Sequence, residues 1–100
     1  MLAIKYTRAA EVDLGDIDRY LETRMGRAGA MIWLKRLRAR AEALRLDGHN
    51  YRERKELGRG RRAVNVGPWM IFYRIADETL IVQRIMRGSR RIKPEFLDEC

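Results

Sequence analysis

One hundred residues, 46% of them apolar and only two of them proline, suffice for one folded domain with a modest core; they leave no room for a second independent domain, and a largely disordered chain is excluded by the apolar content. Twenty-two Lys and Arg against fourteen Asp and Glu give a formal charge of +8, concentrated in Arg24 to Arg62 and Arg84 to Lys93. That excess predicts an anionic partner, whether nucleic acid, an acidic protein segment or a membrane surface, with a merely solvated basic surface as the bland alternative.

The single cysteine, Cys100, rules out an intramolecular disulfide and a zinc site built from thiolates, which fits a reducing cytoplasm. Met1 is followed by Leu2-Ala3-Ile4-Lys5-Tyr6 without a long apolar h-region. No stretch approaches the roughly 20 apolar residues of a membrane span, so neither export nor membrane insertion is expected.

In chain order, Leu2 to Thr7 alternates apolar Leu2, Ile4 and Tyr6 with Ala3, Lys5 and Thr7, the period-2 signature of a half-buried strand. Thr7 reads as a helix N-cap, Glu11 suits the positive end of the helix dipole, and Ala10, Leu14, Ile17 and Leu21 recur at helical spacing. This helix is expected to end near Gly26. A second, longer helix follows, with Ala30, Trp33, Leu34, Leu37, Ala41 and Leu44 on one stripe and Lys35, Arg36, Arg38, Arg40 and Arg45 outside it. Asp47-Gly48 marks its stop, where glycine can take a positive φ, and the short connection at Gly26 implies an antiparallel helical hairpin.

After the loop His49 to Lys55, strands are predicted at Arg62 to Val66, Trp69 to Ile75 and Thr79 to Met86. Gly67-Pro68 and Asp77-Glu78 separate them, and such short connections imply an antiparallel meander. The expected fold is therefore α+β: an N-terminal strand and a helical hairpin packed on a three- to four-stranded antiparallel sheet, occupying residues 1–100 as a single domain.

Several side chains invite a chemical reading, and each has a structural alternative. His49 beside Tyr51 suggests an acid/base pair, but a lone histidine in a polar loop is more often simply exposed. Glu56 near Arg62 suggests a general base, or a salt-bridge partner. Trp33 and Trp69 suggest a base-stacking platform, although such platforms expose several aromatics on one sheet face, so core or partner contacts are the better expectation. Tyr73 and Phe72 are adjacent on a strand and must face opposite ways; a buried Tyr73 with a satisfied hydroxyl is favoured over one lining a partner groove. Arg84, Arg87, Arg90 and Arg91 form the strongest functional candidate, since guanidinium forks suit carboxylate and phosphate. Arg59, Arg61 and Arg62 form a second basic cluster.

Ala10, Asp13-Leu14, Ile17 and Tyr20 resemble the first helix of the ParE/RelE toxin superfamily. Glu56-Leu57-Gly58-x-Gly60-x-Arg62 is similar to its mid-chain motif, and Val66-Gly67-x-x-x-Ile71-x-Tyr73-Arg74-Ile75 with Arg84-Ile85-x-x-Gly88-x-Arg90 to the strands and terminal basic loop of ParE-like members. The resemblance implies a toxin held inactive by a ParD-like antitoxin, whose acidic C-terminal segment wraps it with a helix and an extended stretch, and which alone brings the complex to operator DNA. Within the superfamily, ParE-like members poison DNA gyrase and RelE-like members cut messenger RNA on the ribosome.

RNA cleavage needs a base for the 2′-hydroxyl, a cation for the phosphate and an acid for the leaving oxygen. This chain carries Met70 about where RelE-like toxins often place a phosphate-gripping arginine. After Arg84 it offers arginines but no Tyr or His, and arginine is a poor base. Arg87 stands where some ParE-like sequences have His, and His49-Asn50-Tyr51 replaces prolines frequent in the family's loop. The expectation is thus a non-enzymatic toxin that binds gyrase, needs no metal or organic cofactor, presents Arg84, Arg87, Arg90 and Arg91 to the target, and meets the antitoxin through Arg59, Arg62, Trp33, Trp69 and Tyr73. A RelE-like endoribonuclease using arginines around Arg62, Arg74 and Arg87, and a non-toxic nucleic-acid-binding module, are the alternatives.

Overall fold

A computed structural model describes residues 1–88 of the chain. Strand β1 (Ala3–Tyr6) leads into helix α1 (Arg8–Asp47), and two 3-10 turns (Gly48–Asn50 and Lys55–Leu57) connect it to strands β2 (Arg61–Val66), β3 (Trp69–Ala76) and β4 (Thr79–Arg87). Among the described residues no helix is long and apolar enough to cross a membrane.

Helix α1 starts where the sequence places it. The Thr7 hydroxyl accepts the Ala10 amide at 3.0 Å, satisfying one of the donors a helix leaves orphaned. A straight helix of 40 residues would be about 60 Å long, yet the longest extent of the molecule is 38 Å. The chain reverses at Gly26, whose φ of 80° and ψ of 174° lie outside the helical region and are open to glycine at little cost. The two arms, 8–25 and 27–47, run side by side as a hairpin, tied by Arg38 to Glu11 at 3.2 Å and by Arg27 to Asp18 at 2.5 Å.

The second arm ends at Asp47 as expected, but Gly48 departs from the reading of its residue type. It is right-handed, with φ −58° and ψ −31°. Its small size is used instead for packing: a Cβ there would sit 3.1 Å from Leu80 and 3.4 Å from the Tyr73 ring, and its carbonyl accepts the Tyr73 hydroxyl at 2.8 Å.

The sheet order is β1-β4-β3-β2. The β2–β3 and β3–β4 pairs are antiparallel hairpins. Gly67 turns the first with a φ of 57°, and Asp77 and Glu78 turn the second with φ of 51° and 58°, the positive pair that matches strand twist in two-residue hairpins. In one strand the sheet differs from the antiparallel expectation: β1 joins as an edge strand parallel to β4, so the sheet is mixed. Parallel pairing needs a long crossover, which α1 and the two hairpins provide. The direction of β1 is fixed at its end, where Thr7 donates its hydroxyl to the Gln83 carbonyl at 2.7 Å.

Ala10, Leu14, Ile17 and Leu21 of the first arm and Ala30, Leu37, Ala41 and Leu44 of the second pack on Ile71, Tyr73, Leu80, Val82 and Ile85, all buried. Burial of each such large side chain contributes about 1.5–3 kcal/mol. By strand alternation the opposite sheet face carries a smaller cluster, Leu57, Phe72 and Met86 with Ala63 and Met70 beside it.

Candidate functional site

Past Val82, β4 has lost β1 as a neighbour and faces the first arm of α1. The register shifts between Phe72 and Tyr73, which oppose Arg84 and Val82, so Gln83 is the extra residue of a bulge. Thr7 takes the Gln83 carbonyl. One turn and a half further along α1, Asp13 accepts the Ile85 amide at 2.9 Å and grips Arg84 with both carboxylate oxygens, at 2.7 Å to Nε and 2.9 Å to Nη2. The side chains of Arg84 and Asp13 are only 20% and 10% exposed. A fork-to-fork pair this sheltered is geometrically specific, and removal of one partner strands a charge. Arg84, expected among the target-facing arginines, is therefore drawn onto the helix.

Three residues further, Arg87 is exposed and opposes Trp69 in the β3–β4 register. Its guanidinium lies 5.3 Å from the Trp69 ring centre and 5.8 Å from that of Tyr20, within cation–π range. The two rings meet edge to face at 6.1 Å and 85°, an arrangement favoured by the ring quadrupoles. Arg24 approaches Tyr20 as well, at 5.0 Å. Asp13, Asp16, Ile17, Ile85 and Met86 complete the wall of a cleft of about 300 Å³. Trp69 is buried, and its Nε1 donor has no hydrogen-bond acceptor among the described residues. The cleft thus joins an apolar floor, two aromatic rings, a cation and two carboxylates, a combination that can seat a partner's apolar or acidic side chain.

The remaining predicted residues divide. Tyr73 is fully buried, and burial pushes its phenol up to about 12; it holds the end of α1 through Gly48. Trp33 is half-buried, with Arg36 stacked 4.2 Å from its ring centre. Arg62 donates to the Tyr51 carbonyl at 2.8 Å, and Arg59 is exposed. Trp69 and Arg87 are brought together; Arg59, Arg62 and Tyr73 are not part of their cleft. Arg90 and Arg91 lie outside the described residues.

His49 and Tyr51 do not pair, since the Tyr51 hydroxyl is taken by Arg40. Glu56 bonds Arg54 at 2.9 Å. Its own backbone amide and then Arg54 hold its carboxyl below the usual range, which weakens it as a base. Met70 sits against the apolar cluster of the outer sheet face. Among the described residues no group of three His, Cys, Asp or Glu could hold a metal.

Sequence reasoning took Asp13 and Tyr20 as marks of a helix and missed what they do. A signal existed for Asp13, three residues after Ala10 and four before Ile17 on the buried stripe, where a carboxylate must find a cation. Tyr20, three residues after Ile17, carried a weaker version of the same hint.

Comparison with known proteins adds three findings. The model of the family described as the ParE toxin of the type II toxin–antitoxin system parDE matches residues 4–92. A solved structure of the chromosomal ParDE toxin–antitoxin system from P. aeruginosa superimposes with a TM-score of 0.78 at 21% identity, covering 87% of this chain and 96% of that one. A chain of the RelBE2 toxin–antitoxin complex from Mycobacterium tuberculosis reaches 0.49 at 21% identity, over 86% and 96% of the two chains. No curated protein matches the chain in sequence.

Proposed function

The chain belongs to the ParE toxin family of type II toxin–antitoxin systems, and from that premise we propose that it arrests growth in the cytoplasm by binding DNA gyrase and is neutralised by a ParD-like antitoxin. The observation that carries this reading is the Arg87 cleft. Among the described residues Arg87 is exposed and held only by ring faces and a 3.4 Å contact to the Tyr20 hydroxyl, so it can be redirected to a macromolecular partner at little cost, whereas Arg84 cannot. Aromatic rings beside an arginine are the composition in which binding hot spots are enriched.

The reading is non-enzymatic. The outer sheet face at Met70 is apolar, packed with Leu57, Phe72 and Met86, and supplies neither a phosphate grip nor a proton carrier there. For the antitoxin, the second arm of α1 offers Trp33 under Arg36 and exposed Ile32 and Leu46 amid basic side chains. An acidic, amphipathic tail would find apolar anchors and unlike charge there, and steering would speed its capture.

The test is to add the purified protein to a gyrase supercoiling assay and, in parallel, to map messenger RNA by primer extension after induction. Inhibition of supercoiling with intact messages is the expected result. New 5′ ends at ribosome-bound messages with unimpaired gyrase would replace this reading with the endoribonuclease one.

A further inference from the structure

On the sheet face turned away from the helices, register places Lys5 of β1 opposite Ile81 of β4, and Ile81 opposite Arg74 of β3. The three positions form one lateral row, so Lys5 and Arg74 stand two strand spacings apart, about 9–10 Å. Arg8, the first residue of α1, follows directly on β1. The three cations border a second cleft of about 310 Å³, whose other walls are Tyr6, Thr7, Ala9 and Ile81. No acidic residue lines it.

What sets these three apart is that they share one concavity, since Lys35, Lys55 and Arg59 also stand exposed without an ion pair or ring contact among the described residues. Arg19, Arg27, Arg38, Arg40, Arg45, Arg54 and Arg84 each meet a carboxylate, and Arg24, Arg36 and Arg87 lie over rings. Lys5, Arg8 and Arg74 have no hydrogen bond, ion pair or ring contact among the described residues. Three uncompensated cations round one concavity repel one another in the folded protein and concentrate positive potential in it, a cost that a bound polyanion would relieve.

We propose that the cleft of Lys5, Arg8 and Arg74 binds the phosphodiester backbone of a nucleic acid. The arrangement favours phosphate over an acidic peptide for two reasons. Two of the cations are guanidinium forks, which match phosphate oxygens bidentately, and Tyr6, although it borders the cleft, packs its ring on the core side under Arg38, so the cleft lacks an aromatic face of the kind that anchors a peptide side chain. Contacts of this type fix position without reading sequence, so binding is to be strongly salt-dependent and indifferent to base order. It lies apart from the Arg87 cleft and does not depend on the toxin reading.

The test measures binding of the full chain to a short fluorescein-labelled DNA duplex of random sequence by anisotropy, over a series of salt concentrations. Removing one cation from a phosphate lowers the slope of log affinity against log salt by about 0.9. The Arg8→Ala/Arg74→Ala double variant is expected to lower the slope by about 1.8 and to weaken binding about tenfold or more at low salt. Lys35→Ala/Lys55→Ala, which removes equal charge from exposed positions elsewhere, is expected to leave the slope within about 0.5 of wild type. Arg74→Lys, keeping the charge, is to retain the wild-type slope, and Arg8→Ala alone, at an exposed position, serves should the double variant not fold. Equal losses in the two double variants would overturn the proposal, as would polyglutamate of matched charge displacing the duplex as well as unlabelled duplex does.

Discussion

Arg84 and Arg87 belong to the same strand, and they live in opposite regimes. Around Arg84 the charge and the neighbouring amide are matched: Asp13 holds the guanidinium and the Ile85 amide together, and Thr7 closes the bulge at Gln83. Around Arg87 the contacts among the described residues are ring faces and one long hydrogen bond. The first region docks α1 onto β4 where β1 stops; the second stands open beside it. Residue type and local sequence do not distinguish the two arginines. What does is a carboxylate 71 residues away from one of them.

The sharpest way to break this contrast is Asp13→Ala. It leaves Arg84 sheltered without a counter-charge and the Ile85 amide without an acceptor, and is expected to cost about 3–5 kcal/mol of unfolding free energy, read by urea denaturation. Arg84→Met, which removes the cation but keeps its bulk, should also destabilise, because Asp13 then stands alone, though its link to Ile85 remains.

Next in size is Gly67→Ala. A Cβ at this positive-φ turn would meet the Trp33 ring at 2.5 Å, so that strain and displacement together should remove about 2 kcal/mol, visible as a lower thermal midpoint and altered tryptophan fluorescence.

Tyr73→Phe is expected to cost about 1 kcal/mol through the lost bond to Gly48, and it carries a pH signature. The folded phenol ionises at about 12, against about 10 when unfolded. Its contribution is therefore complete below pH 10 and declines as pH rises from 10 towards 12. Wild type should lose stability over that window, and Tyr73→Phe should lose less.

The smallest effect on folding belongs to Arg87→Ala. An exposed cation over ring faces contributes little, so stability should stay within about 0.5 kcal/mol of wild type while activity against the target falls.

Local signals made most of this architecture legible. Thr7 and its apolar stripe marked the first helix, Gly26 its end, and Gly67 and Asp77-Glu78 the two hairpins, because caps and turns are decided by neighbours in sequence. The parallel setting of β1 was not readable, since it depends on Thr7 meeting a bulge carbonyl 76 residues away. Gly48 misled for a similar reason: its space, not its dihedral freedom, is what Tyr73 and Leu80 use. In the candidate site, Trp69 and Arg87 stood out by residue type, but their pairing came from register and the Tyr20 ring from helix packing. The separation of Arg84 from Arg87 needed the Asp13 contact, which no spacing rule encodes.

The measurement closest to the central claim is gyrase inhibition by Arg87→Ala and Arg84→Met, each at a temperature where circular dichroism reports it fully folded. Arg87→Ala is expected to lose inhibition with its stability intact, while folded Arg84→Met inhibits like wild type. Full inhibition by Arg87→Ala together with its loss in folded Arg84→Met would contradict that claim.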